Sequence, residues 1–125
     1  MYEEFKATDP WTGEELTCSW KATMVAIATR HADAVDVRFD VNGRPMWIAL
    51  PNAAWLEQKR RTGLVITDHL AAHVAGRYLK QIVAEGLDSQ REVHTMTVDQ
   101  VLEHLAEVIA EAKVQGALPA VPVVV

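Results

Sequence analysis

Cysteine is nearly missing from the 125-residue chain, where Cys18 stands alone. One thiol can close no intramolecular disulfide and build no cysteine-only zinc site, so a reducing, cytoplasmic setting is expected. No run approaches the roughly 20 apolar residues that span a bilayer. The opening Met1-Tyr2-Glu3-Glu4-Phe5-Lys6 carries acids where a secretory leader has a basic start, and no membrane association is expected. Cationic charge is in deficit, with 12 Lys and Arg against 17 Asp and Glu, so there is no global attraction to nucleic acid or anionic lipid. A glycine-rich phosphate loop, a nucleophile elbow and a paired-carboxylate motif are also missing. The chain leans away from catalysis, and neither a catalytic residue nor a cofactor is assigned.

Half of the residues are apolar, enough for burial to offset chain entropy. The length suits one core. The expected organisation is therefore a single domain over residues 1–125, with a polar lead-in at 1–15 and an apolar extended tail at 117–125. The lead-in turns at Asp9-Pro10-Trp11-Thr12-Gly13. No internal repeat, low-complexity tract or linker is visible.

Asn42-Gly43 suits a type I′ turn, in which both central residues need positive φ. A two-residue loop pairs Val41 with Arg44, Phe39 with Met46, Val37 with Ile48 and Val35 with Leu50. Opposed residues share a face, so an apolar face forms there while Asp36, Arg38, Asp40, Trp47 and Ala49 point the other way. Trp47 falls opposite Arg38, within reach of a cation–π contact, and a tryptophan on that side also suits a subunit interface. Residues 16–30 mix helical spacing (Trp20, Met24, Ile27) with strand spacing (Val25, Ile27, Thr29). We read them as a strand, joined to the next by the polar His31-Ala32-Asp33-Ala34.

Three helices follow. One starts near Pro51 or Asn52 and is stopped by Gly63. The second is capped by Thr67 or Asp68 and runs to 86; its apolar residues cover more than half of the wheel. Tyr78, Leu79 and Ile82 continue its arc past Gly76 without a phase break, which argues for one helix and against a helix-turn-helix DNA reader. The third is opened by a Thr97 and Gln100 capping box and runs to 115. Val93 to Thr95, just before it, can add an edge strand. The expected fold is α+β: a three-stranded antiparallel meander over about 16–50, followed by helices over 52–62, 68–86 and 97–115 packed on one sheet face.

His69 and His73 stand four apart on the second helix, one above the other, as in helical metal sites. Leu70 occupies the position where a zincin helix carries its glutamate, and Arg77 and Lys80 beside the pair disfavour a dication. No metal is assigned. His69, His73, Arg77 and Lys80 instead form a cationic stripe preceded by the Lys59, Arg60 and Arg61 cluster. Residues 58–91 hold six Lys or Arg against three Asp or Glu. Such a stripe can take an anionic ligand or protein partner, or pair with Glu103, Glu107 and Glu111 of the last helix. Glu103-His104 is read as a solvated pair, and Cys18 as packing rather than catalysis. The chemistry expected is that of a small binding or regulatory module, specific DNA binding being disfavoured by the acidity. The alternative is a small enzyme or metal protein using His69 and His73.

The apolar tail, the sheet edges and four tryptophans point to a homodimer. Sedimentation at micromolar concentration, with and without residues 117–125, is expected to show association that the deletion weakens.

Overall fold

The computed structural model describes residues 2–26, 34–63, 67–87 and 93–115. They form β1 (Glu4–Thr8), β2 (Glu15–Ala26), β3 (Ala34–Val41), β4 (Arg44–Pro51), α1 (Asn52–Thr62), α2 (Asp68–Ala84), β5 (Val93–Thr95) and α3 (Val98–Gln115). The class is α+β, with one mixed sheet in the order β1-β2-β3-β4-β5. Its first four strands are an antiparallel meander, and β5 returns parallel to β4. Among the described residues no helix is long and apolar enough to cross a membrane. The tail at 117–125 and the His31 to Asp33 connection lie outside the described residues.

The hairpin closes as its chemistry requires. Asn42 and Gly43 have φ of 49° and 83°, both in the left-handed region of a type I′ turn. Asn42 also ties the turn to β2, its Oδ1 accepting from Thr17 N at 2.7 Å. The pairs Val35 with Leu50, Val37 with Ile48, Phe39 with Met46 and Val41 with Arg44 are all present. Val37, Phe39, Met46, Ile48 and Leu50 are wholly buried, in one cluster with Leu70, Val74 and Leu79 of α2 and Val101 and Leu105 of α3. Asp36, Arg38, Trp47 and Ala49 alternate with them and keep part of their surface in water. Arg38 does oppose Trp47, but its guanidinium bonds along its own strand to Asp40 Oδ1, at 3.2 and 3.3 Å.

Three expectations need correction. The sheet has five strands, not three, and the lead-in at 1–15 is not a lead-in, because β1 lies inside it. β1 turns only Phe5 and Ala7 inward, opposite Cys18 and Leu16; two apolar side chains in five residues leave no periodic signal. β2 is one strand with a register shift between Trp20 and Ala22. The extra residue moves the inward phase from even to odd positions, which is why neither period fits the whole segment. Lastly, α2 crosses β1 through β4, whereas α1 and α3 meet the sheet at β4 and pack against one another.

Helix ends follow local capping. Thr67 Oγ1 accepts from Leu70 N at 3.1 Å, and Thr97 and Gln100 exchange reciprocal bonds of 2.9 and 3.1 Å. Gly63 closes α1 with φ of 74°. α2 is continuous through Gly76, and the glycine has a packing reason: a Cβ there would stand 2.7 Å from Tyr2 Cβ and 2.9 Å from Tyr2 O. The N-terminal segment crosses α2 at that point.

Gly76→Ala is therefore expected to cost about 1–3 kcal/mol of stability through overpacking. In open space the same change in a helix would gain up to about 1 kcal/mol. Urea denaturation of the variant decides the sign.

Candidate functional site

Crossing at Gly76 brings the N-terminal segment against the polar side of α2, and α3 closes the arrangement from the other flank. Tyr2 N donates to His73 Nδ1 at 3.2 Å, and His73 Nε2 lies 3.4 Å from Glu3 Oε1. With one nitrogen accepting and the other facing a carboxylate, His73 is the neutral Nε2–H tautomer. Burial pushes its pKa below the ordinary imidazole value, and Glu3 only partly opposes this. His69, one turn earlier, is exposed and sets its ring edge-on to Trp20, with centroids 5.1 Å apart.

Arg77 is the centre of a denser network. Its Nε donates to Glu111 Oε1 at 3.1 Å, and Nη2 lies 3.8 Å from Glu107. Its Nη1 reaches His104 Nδ1 at 2.8 Å; a guanidinium can only donate, so this imidazole nitrogen accepts. The phenol of Tyr2 donates to the second Glu111 oxygen at 2.7 Å. Burial, and next the Glu111 carboxylate, push the Tyr2 phenol up to about 12. Burial works to raise Glu111 as well, but the hydrogen bonds from Tyr2 and Arg77 outweigh it and hold that carboxyl below its usual range.

His104 corrects the sequence reading. It is only 4% exposed, not half of a solvated pair with Glu103, and burial followed by the Arg77 charge lowers its pKa. The signal was available: Val101, His104, Leu105 and Val108 follow the i, i+3, i+4, i+7 pattern of a buried helix stripe. Tyr2 was missed for a different reason, since nothing in the chain near it announces contact with a helix more than 70 residues away.

Arg77, Lys80, Tyr2, Gln81, Ala84 and Glu111 surround a hollow of about 270 Å³. Lys80 is exposed and makes no ion pair among the described residues. The structure thus gathers Arg77 and Lys80 into one place, while the other predicted cations stand elsewhere. Arg60 and Arg61 both close on Glu57, at 3.2 and 2.7 Å through their Nε atoms, and hold its carboxyl below the usual range. With Lys59 they occupy the last turn of α1, where cations complement the helix dipole. None of the three lines the hollow. Among the described residues no three His, Cys, Asp or Glu side chains are grouped to hold a metal ion. Cys18 is wholly buried.

No protein family pattern matches the chain, and neither a curated protein nor a solved structure is similar to it. The site has to be read from its own geometry.

Both neutral histidines have depressed pKa values, while in the unfolded chain they titrate near about 6.5. Below that pH the unfolded state binds more protons, so stability is expected to fall as pH is lowered from 7 toward 5. Tyr2, raised to about 12, makes stability decline again once the unfolded phenol ionises above about pH 10. Chemical denaturation across pH checks both limbs; His73→Gln and His104→Gln should each flatten the acid one.

Proposed function

We propose that the protein is a non-enzymatic binding module that captures a small anionic group, a phosphomonoester or a carboxylate, beside Arg77 and Lys80. One observation carries this reading: a guanidinium held in place by Glu111 and His104, and an ammonium with no ion pair among the described residues, line the same hollow. A fixed guanidinium offers its remaining N–H groups without losing rotamer freedom on binding. Arg77 is balanced by Glu111 and Glu107, so the cation that favours an anion in the hollow is Lys80. The volume, about 270 Å³, lies below the range of about 300–1,000 Å³ usual for drug-sized ligands, so a compact group suits it best.

The His69 and His73 alternative lacks comparable support. Both nitrogens of His73 already face protein groups, and His69 is spent on Trp20. The Lys59 to Arg61 cluster adds nothing to the hollow, so the reading rests on the α2 face alone.

Titration with inorganic phosphate, followed by amide NMR, should shift Arg77, Lys80, Gln81 and Ala84. Because Lys80 is exposed, Lys80→Glu should leave the fold intact and weaken binding about tenfold or more, the equivalent of roughly 1.4 kcal/mol. Amide signals that stay still up to millimolar phosphate, or shift alike in both proteins, would refute the reading.

A further inference from the structure

The sheet has a second face. No outward-pointing residue of its strands belongs to the core cluster, and on that side Met24 and Val93 are 56% and 54% exposed. Two adjacent rows cross it. One runs Met24, Asp36, Ala49, Thr95; the next runs Ala22, Arg38, Trp47, Val93. Strand by strand the rows are complements: thioether against methyl on β2, carboxylate against guanidinium on β3, methyl against indole on β4.

We propose that this face is an isologous interface for a second copy of the chain, related by a two-fold axis that runs across the strands at the level of Val37. That operator exchanges the two rows and lays each strand antiparallel over its own copy. Asp36 then meets the second copy's Arg38, Trp47 rests on the second copy's Ala49, and Met24 rests on the second copy's Ala22. An axis along β3 would set Asp36 on Asp36 and Arg38 on Arg38, and an axis at the level of Arg38 would again oppose two guanidinium groups. Like charges directly opposed are destabilising, so charge selects the operator.

Asp36 supports the choice independently. Its carboxylate is partly buried, has no partner among the described residues, and is pushed upward by that burial. A charge in this position gains from a cation supplied from outside. Arg38 can supply one: Nε and Nη2 are taken by Asp40, which leaves Nη1. The edges offer a poorer route: β1 has five residues and β5 three, and where β2 runs past β1, over 21–26, its edge carries Lys21 and the register shift after Trp20; short, charged or bulged edges resist strand addition. Strands of eight residues, at about 3.3 Å per residue and about 4.8 Å apart, present on the order of 500 Å² per copy. That is the low end of specific interfaces, so association in the micromolar range is expected.

A charge exchange tests this. Wild-type protein should sediment as a dimer at about 100 μM, and Asp36→Arg and Arg38→Asp should each be monomeric. Mixed one to one, the two variants should recover a heterodimer, because each then supplies the charge the other lacks. A monomeric wild type overturns the proposal, as does a dimer that survives both single changes; loss of that surviving dimer on deleting residues 117–125 would assign association to the tail instead. If a variant misfolds, isotope-filtered NMR of the wild-type dimer replaces it. Contacts from the Trp47 indole to the Ala49 methyl between differently labelled copies are expected, and their absence in a dimeric sample overturns the interface.

Discussion

The period-two alternation of β3 and β4 is the constraint on which the rest depends. Val35, Val37 and Phe39 on one strand and Met46, Ile48 and Leu50 on the other put their bulk on the same side. Their burial, at about 25 cal/mol per Å² of apolar surface, is available only if helices cover that side. α2 answers with Leu70, Val74, Leu79 and Ile82, and α3 adds Val101, Leu105 and Val108. The side left over is polar and small by the same alternation, and it keeps Trp47 and Met24 near water.

Covering the sheet has a chemical consequence on the far side of α2. The helix buries one arc, so His73 and Arg77 emerge on the opposite one, where the N-terminal segment and α3 can reach them. Arg77 is there enclosed by Glu111, Glu107 and His104, and Tyr2 completes the group through Glu111. Charge-assisted bonds of this kind orient a guanidinium more than they stabilise a fold. The same bonds turn a flexible cation into a fixed one with a neighbouring ammonium, which is the property a small-anion site needs.

Much of this was legible from local chemistry. Asn42-Gly43 dictated the turn and hence the pairing of every residue from Val35 to Leu50; Gly63, Thr67 and the Thr97 with Gln100 exchange marked helix ends through bonds spanning three or four residues. Signals failed where the cause was not local. β1 is a strand because a longer strand lies beside it, and the bulge after Trp20 hid the period of β2 by shifting its phase; the edge strand expected at Val93 to Thr95 is β5. His104 was read as solvated beside Glu103, yet its place on the Val101 to Val108 stripe carried the opposite message. Gly76 looked like a possible turn residue and is instead the notch over which Tyr2 passes.

By itself, the order of residues determined the hairpin register, the three helices and the apolar face they must cover, because each follows from interactions within a few residues or from strict alternation. It also determined that cations concentrate on α2. Only the tertiary structure decided which of those cations work together, since Arg77 meets Glu111 and His104 across 34 and 27 positions and Tyr2 meets His73 across 71. Contacts at such separations are set by where packed elements bring their polar edges, and no periodicity in the chain encodes that distance.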